Sequence, residues 1–426
     1  MQDKIYRKFL EVKSITSDTR SVQTGAIFFA LKGEKFNGNL FAKQALESGA
    51  SMAVVDEDIF DTDDRIIKVD DVLQSLQQLA NAYRRTFNIP LIAITGSNGK
   101  TTTKELMRDV LAKKYRVHAT KGNLNNHIGI PLTLLSMPED CEIAIIEMGA
   151  NHQQEIASYC KFTEPTHGLI TNMGKAHLEG FGSEEGVIKG KKELYDYLKA
   201  SGGKAFVNIE LPKLATTAAG GNIIAYGFEQ PDFELKLLRE NPVISYEFIS
   251  QGKPVKATTH LVGAYNLYNI ASAIAVGKFL EVEDSSIHEA ISSYRPDNNR
   301  SQLVNTAKNS IIMDAYNANP TSMGHALLSL SKMEGNQPYF IIGDMRELGD
   351  ASLDEHQRIL ELVQDLQLEG IAIGDLFEQA AQGTSQKSFL TLEEAKNFLL
   401  QHPISQKTIL LKGSRGMHLE DLMPQL

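Results

Sequence analysis

Cysteine is nearly missing from this chain. Two occur in 426 residues, Cys141 and Cys160, with no Cys-x-x-Cys pair, which excludes a disulfide framework and a cysteine-based zinc site. Basic runs and basic patches interleaved with aromatics are missing too. With a net charge of −10 and a pI near 5.6, the chain is not built for general nucleic-acid binding. No apolar run approaches membrane-spanning length, and the opening Met1-Gln2-Asp3-Lys4-Ile5-Tyr6 lacks the apolar core of a leader. A cytoplasmic enzyme with no membrane insertion is expected. Internal repeats and low-complexity tracts are absent as well. The length suffices for about two to four domains with ample core.

What is there alternates between apolar runs and helical patterns. Residues 1–88 hold a polar loop, Thr16-Ser17-Asp18-Thr19-Arg20, and a strand over 26–31. A second loop around Asn37-Gly38-Asn39, a helix over 41–48 and a strand over 51–55 follow. Leu73, Leu76, Leu79 and Tyr83 recur at helical spacing and close this small α/β module before Asn88-Ile89-Pro90 breaks the pattern. Residues 89–298 alternate as a doubly wound sheet does. They include an antiparallel hairpin over 243–249 and 255–261, joined by Gln251-Gly252-Lys253-Pro254. From Asn299 to Leu426 a third, Rossmann-like α/β unit is expected, with strands over 311–314, 339–342, 370–373 and 408–411. A capping box, Thr391-x-x-Glu394, opens one of its helices.

The chemistry concentrates in Leu91-Ile92-Ala93-Ile94-Thr95-Gly96-Ser97-Asn98-Gly99-Lys100-Thr101-Thr102-Thr103. An apolar strand breaks into a glycine turn, then Lys-Thr, then a helix with Leu106 and Val110 on one face. This is a phosphate cradle. Loop amides and the helix N-terminus meet the anion, Lys100 neutralises it, and the Thr101 hydroxyl suits Mg²⁺. Ile94 stands where the usual loop has its first glycine, so the loop is a tight variant. The bland alternative, a Gly-Lys-Thr turn without function, fits poorly with the strand and helix around it.

Further polar groups fall at expected strand ends, where open α/β sheets place ligands. Glu147 ends the run 143–146 and is a hard-oxygen ligand for Mg²⁺, or a glutamate facing solvent. His177 follows the run 169–172 as a ligand or a structural histidine. Lys189, Lys191 and Lys192 begin an amphipathic helix and, on periodicity alone, read as a solvated charged face. Asp314-Ala315-Tyr316-Asn317-Ala318-Asn319-Pro320, Gly343-Asp344-Met345-Arg346-Glu347-Leu348-Gly349 and Lys412-Gly413-Ser414-Arg415-Gly416 each follow a strand of the third unit. Three such loops make a second ligand face, for a nucleotide ribose or a substrate, the bland alternative for the first being an Asn/Pro turn.

Taken together, these loops resemble the Mur ligase family, the ATP-dependent ligases that build the peptidoglycan stem peptide. The resemblance rests on the nucleotide loop, Gly122-Asn123-Leu124-Asn125-Asn126, Glu147-Met148-Gly149, Ala176-His177-Leu178 and Asn266-x-x-Asn269, and spans nearly the whole chain. Within the family, the 314–320 and 343–349 loops are similar to those of the member that adds a dipeptide. The resemblance implies three domains: a small UDP-sugar domain, a central ATPase domain, and a C-terminal domain for the amino substrate. It implies ATP as phosphoryl donor, and UDP-N-acetylmuramoyl-tripeptide and D-alanyl-D-alanine as partners, on a monomeric enzyme.

The resemblance also implies residue roles. Gly96, Ser97, Asn98, Gly99, Lys100, Thr101 and Thr102 would hold the ATP phosphates. Asn266, Asn269, Arg300 and Asp314 would contact adenine and ribose. Thr101 and Glu147 would hold one Mg²⁺, and His177 a second together with Lys191, which falls where the family carries a carbamylated lysine. Lys100, His177 and Lys191 form the expected catalytic set. Ser17, Asp18 and Arg20 would meet the UDP-sugar, and Asn123, Asn125 and Asn126 the muramoyl-peptide. Tyr316, Asn317, Asn319, Asp344, Lys412 and Ser414 are the substrate candidates of the third unit. Two positions depart from the family pattern: Tyr265 replaces a histidine, and Asn37-Gly38-Asn39 replaces Asp-Gly-His. The rival readings are another amide ligase of this superfamily, a phosphate-loop kinase or NTPase, and a non-catalytic relative.

Overall fold

The computed structural model describes residues 1–58, 63–230, 233–250, 252–297 and 299–426. Gln251 of the expected hairpin turn and residue 298 at the expected second boundary lie outside them. Three α/β units follow one another. The first carries a parallel four-stranded sheet in the order Ile15–Thr16, Ile27–Phe29, Met52–Val55, Ile66–Lys68. Helix Val72–Arg84 closes it, capped by the Asp71 side chain, with Leu76, Leu79 and Tyr83 buried.

The central sheet is six-stranded and parallel, in the order Asn222–Tyr226, Lys204–Asn208, His167–Ile170, Leu91–Thr95, Ile143–Glu147, Val117–Ala119. From Leu91–Thr95 the chain runs through helix Lys100–Leu111 to the edge strand Val117–Ala119 and returns to Ile143–Glu147. It then crosses to His167–Ile170 on the opposite side. That reversal opens a crevice above the C-terminal end of Leu91–Thr95, the place where doubly wound sheets bind ligands. Helix Asn266–Phe279 packs Ile270 and Ile274 with Met107 and Val110 of Lys100–Leu111 in one apolar cluster.

The hairpin forms as strands Ser245–Ser250 and Lys253–Thr258, with Ser250 opposite Lys253. The turn is therefore tighter than the four residues expected, because Lys253 and Pro254 join the ladder. The third unit has the sheet order Gln302–Asn305, Ser310–Asp314, Lys407–Lys412, Gln337–Gly343, Glu369–Ile373, Ser388–Phe389, antiparallel only at the first pair. Thr391 caps Leu392–Gln401 through the Glu394 N–H. The Glu394 carboxylate returns to Leu390 N–H, one residue before the cap. Both cysteines are free and buried, and among the described residues no helix is long and apolar enough to cross a membrane.

The first and central units share one core. Ile5, Phe9, Leu76 and Tyr83 belong to the same apolar cluster as Leu91, Ile130, Leu134 and Ile156. Tyr83 OH donates to Met137 O (2.9 Å) and Arg84 Nε to Thr163 O (3.1 Å) across the seam. The break at Asn88-Ile89-Pro90 thus lies inside a continuous interior. The seam to the third unit is mostly polar. Asn319 Nδ2 donates to Asn98 Oδ1 (2.7 Å), Lys175 N–H to Thr321 Oγ1 (3.2 Å) and Lys175 Nζ to Glu355 Oε1 (2.7 Å). Apolar residues of the central unit in the third unit's core are Val262, with Leu178 and Val243 at its edge.

Candidate active site

A cavity of about 750 Å³ opens between the nucleotide loop and the strand ends of the third unit. Its floor is built by glycine geometry. Gly96 has φ +143° and Gly99 φ +79°. A Cβ at Gly96 would strike the Thr171 hydroxyl, and one at Gly99 would sit 2.5 Å from Asn269 Oδ1, so the loop approaches its neighbours only without side chains. Asn172 then pins it: its Oδ1 accepts from Asn98 N–H (3.1 Å), and its Nδ2 donates to Asn98 O (3.0 Å). Helix Lys100–Leu111 starts at once, leaving its first amides for a ligand. Lys100 folds over the loop, donating to Gly96 O (2.6 Å) and Ser97 O (3.3 Å). Desolvation pulls its pKa down to about 8 against the field of Glu147.

Glu147 is 1% exposed, so it does not face solvent. Its Oε1 accepts from Thr101 Oγ1 (3.2 Å) and Asn125 Nδ2 (2.8 Å). Its Oε2 has no hydrogen-bond partner among the described residues and faces the Lys104 ammonium at 3.5 Å. The pair expected to hold a metal is therefore assembled, with one carboxylate oxygen unsatisfied. Among the described residues no group of three or more His, Cys, Asp or Glu is placed to hold a metal.

His177 lines the cavity, held at φ +52°. Its Nδ1 lies 2.5 Å from Glu347 Oε2 of the third unit, and this contact holds the Glu347 carboxyl below its usual range. Lys191 corrects the reading of a solvated lysine face. Helix Glu184–Ser201 exposes Lys189 and pairs Lys192 with Asp196, but buries Lys191 at 1% exposure. Its Nζ donates to Ala150 O (3.2 Å) and lies 5.1 Å over the Phe181 ring, with no carboxylate within 4 Å among the described residues. Desolvation pushes its pKa well down. Lys191 stands behind the cavity wall, touching the lining residue Ala150.

The opposite wall comes from the third unit and helix Asn266–Phe279. Asn266 and Asn269 are buried and linked, Asn269 Nδ2 donating to Asn266 Oδ1 (2.7 Å), while Thr103 Oγ1 donates to Asn269 Oδ1 (3.1 Å). The Arg300 guanidinium stacks 3.6 Å over the Tyr316 ring, its Nε without a partner among the described residues. Asp314 accepts from Ser301 N–H (3.1 Å) and from Lys412 Nζ (2.7 Å), and that ammonium also donates to Asn317 O (3.0 Å). All of these line the cavity except Thr103, together with Asn123, Asn125, Asn126 and Thr102.

Other expected residues lie elsewhere. Asp344 is 1% exposed, and its oxygens accept the N–H groups of Leu376 and Phe377 at the start of helix Asp375–Ala380. Ser414 Oγ accepts from Arg346 N–H (3.0 Å). Both are spent on the fold, because a buried strand end must satisfy its polar groups. Gly96, within the nucleotide loop, does not line the cavity. Ser17, Asp18 and Arg20 are outside the cavity, and Arg20 folds back on Asp18 (2.7 Å). Asn39 is fully buried, bonded to Asp56 and Asn37, so Asn37-Gly38-Asn39 secures its own loop. Tyr265, in the family's histidine position, lines the cavity with its hydroxyl on Ser301 Oγ (2.9 Å).

Two lysines beside the site, neither of them lining the cavity, escaped the sequence reading. Lys104 is 2% exposed; its spacing of three from Met107 and seven from Leu111 places it in the buried stripe of its helix. A lysine in an apolar stripe was the available signal. Lys175 has no such signal, since its partner Glu355 is remote in sequence.

Three family models match the chain: "Mur ligase family, catalytic domain" at residues 11–84, "Mur ligase middle domain" at 94–277 and "Mur ligase, glutamate ligase domain" at 299–415. The UDP-N-acetylmuramoyl-tripeptide–D-alanyl-D-alanine ligase of Bacillus subtilis is 33% identical over 97% of this chain and 93% of its own. The ligase of that name from Haemophilus influenzae is 32% identical over 98% and 94%. Among solved structures, MurF from Acinetobacter baumannii superposes with a TM-score of 0.88 at 32% identity, covering 97% and 93% of the two chains. MurF from Thermotoga maritima in complex with ADP gives 0.87 at 26%, covering 98% and 97%. On full-length likeness and on the site just described, the chain belongs to the Mur ligase family.

Proposed function

We propose that this Mur ligase uses ATP to join D-alanyl-D-alanine to UDP-N-acetylmuramoyl-tripeptide in the cytoplasm. The observation that carries the reading is the shared cavity, where a phosphate loop faces the strand ends of a second α/β unit. The names and ADP complex of its relatives supply the substrates. Residues 1–88 take the UDP-sugar, 89–298 the nucleotide and 299–426 the amine.

The terminal carboxylate of the tripeptide attacks the γ-phosphorus of ATP, the bond to the β,γ-bridging oxygen breaks, and ADP leaves behind an acyl phosphate. The dipeptide amine attacks the acyl carbon and loses a proton, and the carbon–oxygen bond to phosphate breaks. Lys100 and the loop amides hold the charge that shifts onto the phosphate oxygens. Asn266, Asn269, Arg300 and Asp314 seat the nucleoside, and Asn123 and Asn125 the peptide. Thr101 and Glu147 would hold Mg²⁺, which when bound neutralises phosphate charge. His177 and Lys191 would hold a second such ion. For that, Lys191 must lose its positive charge, and burial, which outweighs the fields of Glu155 and Glu193, favours the neutral amine that adds CO₂ to give a carbamate and a proton. The polar seam to the third unit closes over the acyl phosphate and keeps water from it.

The test is ADP release from ATP and UDP-muramoyl-tripeptide, with and without D-alanyl-D-alanine, with the product mass read alongside. Release that requires both, with a pentapeptide product, supports the proposal. Release indifferent to the dipeptide points to another acceptor amine or to an NTPase. In ¹³CO₂-equilibrated protein, a carbamate signal that is lost in Lys191→Ala would support the modification.

A further inference from the structure

Asn98 of the nucleotide loop carries a carboxamide whose two ends are treated differently. Its Oδ1 accepts from Asn319 Nδ2 (2.7 Å), whereas its Nδ2 is buried with no partner among the described residues. The backbone allows no slack, because Asn172 holds both its N–H and its carbonyl, and Thr171 Oγ1 also donates to that carbonyl (2.5 Å). Asn319 is fixed as firmly. It caps helix Pro320–Ser331, its Oδ1 accepting from Ser322 N–H (2.9 Å) and its own N–H donating to Ser322 Oγ (3.1 Å).

A carboxamide has one acceptor end and one donor end, and that forces a chain of orientations. The cap takes Oδ1 of Asn319, so its NH₂ faces Asn98. That NH₂ needs an acceptor, so Asn98 turns its Oδ1 to it. The NH₂ of Asn98 is then the group left over, in a residue that lines the cavity beside Gly99 and Lys100. A buried donor without an acceptor calls for one from a ligand, and at a phosphate loop that acceptor is a phosphate oxygen.

We infer that Asn319 is a positioning residue for phosphoryl transfer: seating the third unit sets the Asn98 carboxamide so that its NH₂ donates to the ATP phosphates. The nucleotide loop is then complete only when the unit that brings the amine is docked. When that unit swings away, Asn98 loses the partner that fixes its orientation. This inference rests on the ligase reading above and adds to it a link between closure and phosphate binding that the loop amides and Lys100 do not provide.

The test compares Asn98→Ala, Asn319→Asp and the double variant in the complete enzyme, with the wild type alongside. Asn319→Asp keeps the cap acceptor, so its melting temperature stays at that of the wild type. It offers Asn98 only acceptors, so the Asn98 NH₂ turns away from the phosphates. Each single variant is expected to lose about tenfold to a hundredfold in kcat/KM for ATP, the range of one charge-assisted hydrogen bond. The double variant should be no worse than Asn98→Ala, and the KM for D-alanyl-D-alanine should not move. Wild-type turnover in Asn319→Asp, or losses that multiply in the double variant, would overturn the inference. A raised dipeptide KM in Asn319→Asp alone would make Asn319 a direct substrate contact, which also overturns it. A wild-type chain that forms no ADP from these substrates strikes the ligase reading first, and this inference with it.

Discussion

The two seams of this molecule are built from different materials. Where the first unit meets the central one, Phe9, Leu76 and Tyr83 share an interior with Leu91, Ile130 and Ile156. Where the third unit meets it, the contacts around the cavity are mostly carboxamides, a hydroxyl and ion pairs, with Val262, Leu178 and Val243 the apolar part. Apolar contact survives only in a dry, close-packed arrangement, and opening such a seam exposes surface at roughly 25 cal/mol per Å². Polar partners exchange for water at little net cost. The first seam is therefore expected to hold two units as one body, and the second to be the one that opens and closes. A hinge is accordingly expected near Asn299, whose φ is +56°, and not at Asn88.

Substitutions that separate turnover from stability sharpen this contrast. The largest effect belongs to Lys100, on the floor of the polar seam. Lys100→Ala is expected to lower ADP formation by about a thousandfold or more. It should leave the denaturation midpoint in place, because it removes a desolvated ammonium rather than a packed side chain. Near-normal turnover would remove the loop from the mechanism. Phe9→Ala should do the reverse. Phe9 is fully buried and packs edge-on against Tyr83 at 5.1 Å, so the variant should lose about 3–5 kcal/mol in urea unfolding while its folded fraction still turns over. A loss of activity with unchanged stability would deny that the first seam is a passive joint.

Asp344 gives the pH-dependent case. Burial raises its pKa to about 6, opposed by the N–H groups it caps. An acid raised in the folded state stabilises most while protonated, so this contribution is fully present below about pH 4 and is lost as pH rises through about 6. Asp344→Asn should remove that part of the slope of stability between pH 4 and 6, and leave the KM for D-alanyl-D-alanine alone. A changed dipeptide KM would return Asp344 to the substrate site. Smaller again is Glu355→Gln, across the polar seam. Glu355 holds Lys175 at 2.7 Å and Arg358 at 2.6 Å, and both cations can return to water. A loss of about 1 kcal/mol in closure should appear as a several-fold fall in kcat with the melting temperature nearly fixed.

The contrast between seams was only half legible in the sequence. Helical spacing announced Leu76, Leu79 and Tyr83, and the strand–glycine–lysine order announced the nucleotide loop, because both are local patterns. The rule that ligands sit at strand ends found the third unit's loops. It could not tell Asp314, which faces the cavity, from Asp344, whose carboxylate takes the amides of Leu376 and Phe377 at the start of a later helix. That choice depends on which remote backbone amides need an acceptor. Lys191 shows the same limit from the other side: its neighbours Lys189 and Lys192 look alike in the sequence, and only the packing of Phe181 and Ala150 over one helix face sets it apart. Partners across the polar seam, such as Lys175 with Glu355, follow from docking and leave no trace in spacing.

The smallest expected effect lies in the first unit's own loop. Arg20 and Asp18 form a bidentate pair on an exposed turn, and the pairing draws the Asp18 carboxyl down to about 2. Exposed pairs of this kind do little for stability, so Arg20→Ala should leave unfolding untouched. A diphosphate is a stronger partner for a guanidinium than a lone carboxylate that is also hydrated. If Arg20 leaves Asp18 for the UDP-sugar, the variant should raise the KM for UDP-muramoyl-tripeptide several-fold at low salt. That difference should shrink as ionic strength shortens the screening length to about 10 Å and below, while the KM for ATP stays constant. An unchanged KM at low salt would leave Asp18 as the sole partner of Arg20. The UDP-sugar would then be recognised elsewhere on the first unit, still rigidly joined to the central one.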